Sequence, residues 1–391
     1  LNFKKVDFTN YKKIKFLIFK DNFIQNKEEP SIYNFDFLNY AIKIGGKQGI
    51  EIAKKNIIKW HQYYKFKINI FWNSEVTANR ILNLIYNFEY INSLSSPSEE
   101  KKLKKIIKFN IDRFFLELYL KNENKLSLIE LKTYILISII LNKKKINFDK
   151  KFYKIVENQI DIISFHKSYN LLEHSKFINH ISEIINILLR HNIEIPNVFF
   201  ITRLKMIIIL SHYFHKEGSV ALFNGTHNNY LKEIMMVLKE EHNLKKMEYP
   251  NNINGIYFYE DKSRKIFFDV IQPSNSFLSK QLSASTLSLE FSSNNEKIIT
   301  NCGALERLGG NAAYLRYTAA HSSITIENTN ISEIRQNQPI SKYPQLVDFK
   351  QDKKNNWVTC EGSHNGYIKN YKKIIKRKIN FKELEGSLYG E

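Results

Sequence analysis

Cysteine is scarce: Cys302 and Cys360 are the only two in 391 residues. That is too few for a disulfide framework or a thiolate metal site. Long apolar runs are missing too. Tyr134–Leu141 and Met206–Leu210 are the most apolar stretches, and both fall short of the roughly 18–20 residues that cross a bilayer. No membrane insertion is expected. No Gly-rich phosphate loop, Ser nucleophile elbow or H-E-x-x-H stands in the chain. A cleavable signal pattern is lacking, the first residue is Leu1 and the last, Glu391, stands in a strand-and-turn region; the chain reads as a fragment.

What is present describes an ordinary globular protein, with 43% hydrophobic and 25% charged residues. A length of 391 residues suits two domains. The formal net charge of +20 has two readings. An AT-biased coding sequence writes Lys for Arg and Asn for Asp throughout. Attraction to a polyanion is the functional alternative. The charge is compatible with an acidic substrate without arguing for one. No clustered basic stripe with stacking aromatics accompanies it, so no nucleic-acid partner is expected.

From Leu1 to about residue 245 the apolar period is helical. Gln48–Tyr63 carries Ile50, Ile52, Ile57, Ile58 and Trp60 near a 3.6 repeat. Asn73 or Ser74 caps the next helix, whose buried face is Ile81, Leu82, Leu84 and Ile85. Further helices are predicted at about 101–120, 127–141, 149–163, 171–192 and 198–215. Without a fixed-period repeat, this is a helical array or toroid, not a standard solenoid.

After Glu241 the pattern alternates. Residues 255–273 read as two strands around an Asp-Lys-Ser turn. Further strands are predicted at 286–291, 297–300, 323–326, 357–362 and 367–375. The predicted class is therefore α+β: a helical toroid over residues 1–245, then an incomplete antiparallel β-sandwich over 246–391.

Within the second part, Asn301–Asn328 crosses a Gly-Gly loop at Gly309 and Gly310, then presents Arg316 and His321 before the alternating Ser323–Ile326. A cation and an imidazole at a strand mouth suit ligand binding. A hydrogen-bonded structural His is the competing reading.

These blocks carry a resemblance. ALFNG (221–225), SLEFSS (288–293), NCG (301–303), RYTAAHSSITI (316–326) and EGSHNGY (361–367) resemble, in that order, the heparinase II/III-like polysaccharide lyase family. In the helical part, Ile32–Tyr40, Trp60, Trp72 and Arg80 are similar to the family's signature. The resemblance implies β-elimination on an acidic, uronate-containing glycan. A donor neutralises the uronate carboxylate, a base removes the neighbouring proton, and an acid protonates the departing oxygen. It implies His321 at a metal site or near the reacting sugar, and Arg316 as carboxylate partner. In Gln159–Asn170 it implies His166 as base and Tyr169 as acid, three residues apart and facing one way on a helix or turn. Asn224 shapes a turn or reaches the cleft.

The departures are specific. The family's Asn-His pair has no match in the stretch 126–140. Its His-x-His-Ala-Asp stretch corresponds to Gln281–Ser285, and an Asp of its metal site to Asn301. Ser283, Asn301 and His321 leave one good ligand where zinc takes at least three N, O or S donors, so no bound zinc or other cofactor is expected. His364 is expected to serve a sheet turn. These departures sustain an alternative: a family member with altered catalysis that binds or helps process cell-envelope polysaccharide. Periplasm or cell envelope is the compartment the resemblance implies.

Overall fold

The computed structural model describes residues 30–66, 72–122, 125–143, 146, 148–228, 231–239, 255–303, 312–335, 338–382 and 388–390. The Gly309–Gly310 loop lies outside the described residues. The chain divides into two compact units, Leu1–Ile155 and Val156–Glu391.

The first unit holds helices α1 (Pro30–Tyr33), α2 (Phe37–Ile44), α3 (Gly46–Tyr64), α4 (Ser74–Tyr86), α5 (Phe88–Asn92), α6 (Pro97–Leu120) and α7 (Leu128–Ile140). Their starts are written in the sequence. Asn73 accepts from the Val76 amide at 2.9 Å. Ser96 and Glu99 close a capping box ahead of α6, with Pro97 in its first turn, and Ser127 and Glu130 do the same for α7. Apolar side chains from α1 to α6 converge on Trp60, which is fully buried. The Arg80 guanidinium lies 4.0 Å over the Trp60 ring and 4.7 Å over Trp72. It donates to the Tyr33 carbonyl at 2.7 Å and to Asn110 Oδ1 at 3.0 Å. Burial lowers its pKa to about 9, so it stays charged at neutral pH, held by rings and carbonyl-type oxygens. Helix α8 (Asp149–Gln159) runs across the point where the two units divide.

The second unit carries α9 (Leu171–Arg190), α10 (Asn197–His212) and α11 (Leu231–Lys239), then, among the described residues, two antiparallel sheets. Sheet one takes β1 (Ile256–Glu260), β2 (Arg264–Asp269), β3 (Leu289–Ser293) and β4 (Glu296–Ile299) in chain order. Sheet two takes β5 (Val347–Lys354), β6 (Trp357–His364), β7 (Ile375–Lys382) and β8 (Leu388–Gly390), with α12 (Ile368–Tyr371) between β6 and β7. Side chains alternate across a strand, and the consequence is plain here. Ile266, Phe268, Leu289 and Phe291 face Val358, Cys360, Ile379 and Phe381 of sheet two in one core. The intervening Phe267 turns the other way, against Tyr213, His215 and Phe223 at ring distances of 6.0, 4.9 and 6.4 Å. Sheet one is thus covered on both faces, and every residue of β2 is buried.

Several sequence expectations need correcting. The predicted strand 323–326 does not form; only Ile326 makes an isolated bridge, to Thr329. Side-chain bonds hold the segment instead: Tyr367 donates its hydroxyl to the Ile324 carbonyl at 2.9 Å, and the segment's own Ser323 Oγ donates to the Thr286 carbonyl at 2.8 Å. The strand expected at 367–375 is α12 followed by β7. Helix α8 stops at Gln159, not residue 163, because Asp161 Oδ1 draws the Ile163 and Phe165 amides into a turn.

Candidate active site

The segment after α8 is an irregular loop, not a helix. Asp161 accepts the Ile163 and Phe165 amides at 3.1 and 2.7 Å, and Lys167 N–H returns to the Gln159 carbonyl at 2.8 Å. Ser164 and Tyr169 take positive φ of 67° and 50°. His166 and Tyr169 consequently part company, against the expectation that their spacing turns them one way. The His166 ring packs on Phe177, while Tyr169 stacks on Phe165 with 5.7 Å between centroids.

The imidazoles here are fixed by main-chain bonds. His166 Nδ1 accepts from the Ser168 amide at 3.3 Å and lies 2.7 Å from Ser168 Oγ, so its proton sits on Nε2. His174 Nδ1 accepts the His166 amide at 3.1 Å, and its Nε2–H donates to the Met206 carbonyl at 2.8 Å. Burial pushes His166 down to about 4 and His174 down to about 3, so both are neutral near pH 7. Asp161 moves the other way: burial raises it to about 6, against the opposing bonds from the Phe165 amide and the Tyr169 hydroxyl.

Asn170 joins this loop to the next element. Its Oδ1 caps α9 by accepting the Glu173 amide at 3.0 Å, and its Nδ2 donates to the Asn224 carbonyl at 2.8 Å. The Leu171 amide reaches Thr226 Oγ1 at 3.1 Å. Asn224 itself sits at φ 49°, buried, with its Oδ1 accepting the Ser283 amide at 3.1 Å. That bond settles which way its amide faces. Its Nδ2 is left without a partner among the described residues.

Asn301 repeats the device. Its Oδ1 accepts the Ser322 amide at 2.9 Å, and Ser322 Oγ in turn accepts the Leu289 amide at 2.8 Å. Its Nδ2 too is buried and unpartnered among the described residues. Two residues on, Gly303 takes φ 68° and presses against the 222–226 loop: a Cβ there would stand 2.8 Å from the Thr226 carbonyl oxygen. Cys302 N–H donates to the Ala320 carbonyl at 3.1 Å, which brings the strand end to His321.

His321 is 8% exposed and neither ring nitrogen completes a hydrogen bond among the described residues. Burial carries its pKa down to about 4, against smaller opposing effects of the Leu315 carbonyl and the Glu290 carboxylate. It is a neutral imidazole beside the Leu315 carbonyl, with neither ring nitrogen held by a close, well-aligned hydrogen bond among the described residues. His364, by contrast, accepts the Gly366 amide on Nδ1 at 3.1 Å, the turn role expected of it.

Arg316 takes a different part from the carboxylate partner that the resemblance implies. Its Nε donates to the Leu282 carbonyl at 2.9 Å, Nη1 to the Arg335 carbonyl at 3.1 Å and Nη2 to the Ser279 carbonyl at 3.3 Å. Each guanidinium nitrogen is committed to main chain, so the side chain clamps the 279–284 segment. Burial lowers its pKa to about 10, which leaves it charged.

The donors do not suit a divalent metal. The one metal-capable atom of Asn301 is taken by the Ser322 amide, and its free face offers N–H groups that repel a cation. Among the described residues no group of three His, Cys, Asp or Glu could hold one. Nor is any described helix long and apolar enough to cross a membrane.

One hub was not foreseen. Glu290 of β3 lies wholly buried on the face of sheet one away from sheet two. Period two alone places it there, opposite Leu289 and Phe291. Burial would raise its pKa, but the His215 bond and the Lys297 charge hold it below the usual carboxylate range.

Residues 254–391 match the family model described as heparinase II/III-like, C-terminal. Among curated proteins nothing matches significantly. Among solved structures, a crystal structure titled heparinase III is 14% identical with a TM-score of 0.67, covering 90% of this chain and 60% of that one. A heparan sulfate lyase, HepC from Pedobacter heparinus, is 12% identical with a TM-score of 0.55, over 92% of this chain and 61% of its own. A heparinase III gene product gives 12% and 0.59, over 92% and 64%. The chain therefore spans somewhat over half of each. At these identities the likeness establishes the fold: a helical α/α part followed by an antiparallel β-sandwich, the predicted class.

Proposed function

We propose that this heparinase II/III-like chain is a polysaccharide lyase that cleaves an acidic, uronate-containing glycan by β-elimination. The observation that carries the reading is His321: a neutral imidazole with no close hydrogen bond on its ring among the described residues, linked through Ser322 to Asn301 and its spare amide donor. In the reaction a base takes the proton beside the uronate carboxylate and its electron pair forms the C4–C5 double bond. The bond from C4 to the glycosidic oxygen breaks, and an acid protonates that oxygen.

His321 is the base in this reading. The N–H groups of Asn224 and Asn301 neutralise the carboxylate, which acidifies the neighbouring proton. Tyr169 is the acid. His166, with Nδ1 bonded to Ser168, becomes an orienting group, and Arg316 holds the 279–284 segment. Among the described residues the donor set does not suit a metal, and no step is routed through one.

The test is a panel of alginate, heparan sulfate, hyaluronate and bacterial exopolysaccharides, followed by the ultraviolet absorbance of the unsaturated uronate. Rising absorbance that His321→Ala and Tyr169→Phe abolish supports the proposal. A second reading, a member that binds or helps process envelope polysaccharide without cleaving it, draws on the commitment of Arg316 to main-chain carbonyls. Glycan binding with no absorbance change would select it.

A further inference from the structure

We infer that Glu290 is a positioning residue for this site, a carboxylate that holds together the two backbone segments bearing its amides. The inference rests on reading Asn224, Asn301 and His321 as the groups that face the sugar.

The two oxygens of Glu290 serve different parts of the chain. Oε2 accepts His215 Nε2–H at 2.8 Å and the Leu222 amide at 3.0 Å, both on the stretch that leads into Asn224. Oε1 accepts the Asn301 amide at 2.8 Å and the Thr300 hydroxyl at 3.2 Å. Lys297 Nζ stands 3.8 Å from Oε2 and donates to the Val220 carbonyl at 3.0 Å, closing the same ring of contacts. His215 and Lys297 are thus the charged or titratable groups bonded or ion-paired with this carboxylate, and His321 feels its charge.

A carboxylate suits this duty because it accepts on both oxygens and donates on neither. Two of its four hydrogen-bond donors are main-chain amides, which cannot turn away or change tautomer. Glutamine has the same shape but carries N–H groups on one side. Whichever way it faces, one of the Leu222 and Asn301 amides loses its acceptor. His215 can shift tautomer and Thr300 can rotate; the amides can do neither.

Residue-resolved amide exchange on the ligand-free chain tests this. Glu290→Gln should speed exchange at one of Leu222 and Asn301, and Glu290→Ala at both, by about tenfold to a hundredfold. The amides of the β6–β7 ladder, including Cys360 and Ile379, should keep their wild-type rates. Unchanged exchange at both sites in Glu290→Ala would overturn the inference, as would uniform acceleration through the sandwich. On whichever glycan the panel identifies, Glu290→Gln should lower kcat at least about tenfold with little change in KM, the mark of lost geometry rather than lost binding. Retained kcat also overturns it. A wild-type chain that cleaves no glycan counts against the lyase reading alone and leaves amide exchange to decide this one.

Discussion

Replacing Gly303 by alanine examines the packing that brings Asn301 against the Asn224 loop. Two costs arise. At φ 68° an alanine sits in the left-handed region, worth about 1–2 kcal/mol against it. Its Cβ also meets the Thr226 carbonyl oxygen at 2.8 Å and the Leu222 Cβ at 3.6 Å. The first of those is backbone and cannot swing aside, which adds about 1–3 kcal/mol of overpacking. Gly218 separates the two costs, because it has φ 90° and nothing within 4 Å of its notional Cβ. Gly218→Ala should therefore lose only the conformational part. In thermal unfolding, a unit of this size moves by roughly 2–4 °C per kcal/mol. Gly303→Ala should melt about 2–12 °C below Gly218→Ala. Equal melting temperatures for the two variants would refute the close approach of Gly303 to the loop.

Gly362→Ala should destabilise by about 1–3 kcal/mol in urea unfolding, since its Cβ would collide with Leu287 Cδ2 and stand 3.2 Å from Phe268 Cε1 where β6 meets sheet one. Arg80→Leu should cost about 2–4 kcal/mol, measured the same way, by removing the donor to Tyr33 and Asn110 and the charge between two indoles. Burial raises Asp269 to about 7, so its contribution is complete below its unfolded pKa near 3.8 and is lost as pH rises through 7. Urea midpoints from pH 4 to 8 should fall less in Asp269→Asn than in wild type. On the proposed lyase reading, with His321 pushed down to about 4, the acid limb of the cleavage profile should lie near pH 4 and not near the ordinary histidine value of 6.5.

The helices were legible wherever local chemistry set them: Asn73, the Ser96–Glu99 box and the Ser127–Glu130 box sit at real helix starts. The hairpin of β1 and β2 was legible for the same reason, an alternating pattern around Asp261–Ser263. Failures came where long-range bonds outweighed the local pattern. Ser323–Ile326 alternates like a strand, yet its main chain bonds to Tyr367, more than forty residues away. Strand β5 was passed over because VDFKQDKK reads as a polar connection; its outer positions are charged. The order of sequence blocks singled out His321 and Asn224 as candidates, and both remain part of the proposed site. The duties of Arg316 and Glu290 stayed hidden, because both depend on main-chain atoms brought together only by folding.

Asn170, Asn224, Asn301 and Arg316 all grip peptide groups, with Ser322 Oγ as a further donor to Asn301. Every residue type supplies a carbonyl, and nearly every one an amide proton. Mutations at the gripped positions therefore leave these anchors intact. A scaffold fastened this way can exchange its reactive groups one at a time as sequences drift, keeping the cradle while the chemistry inside it is rewritten.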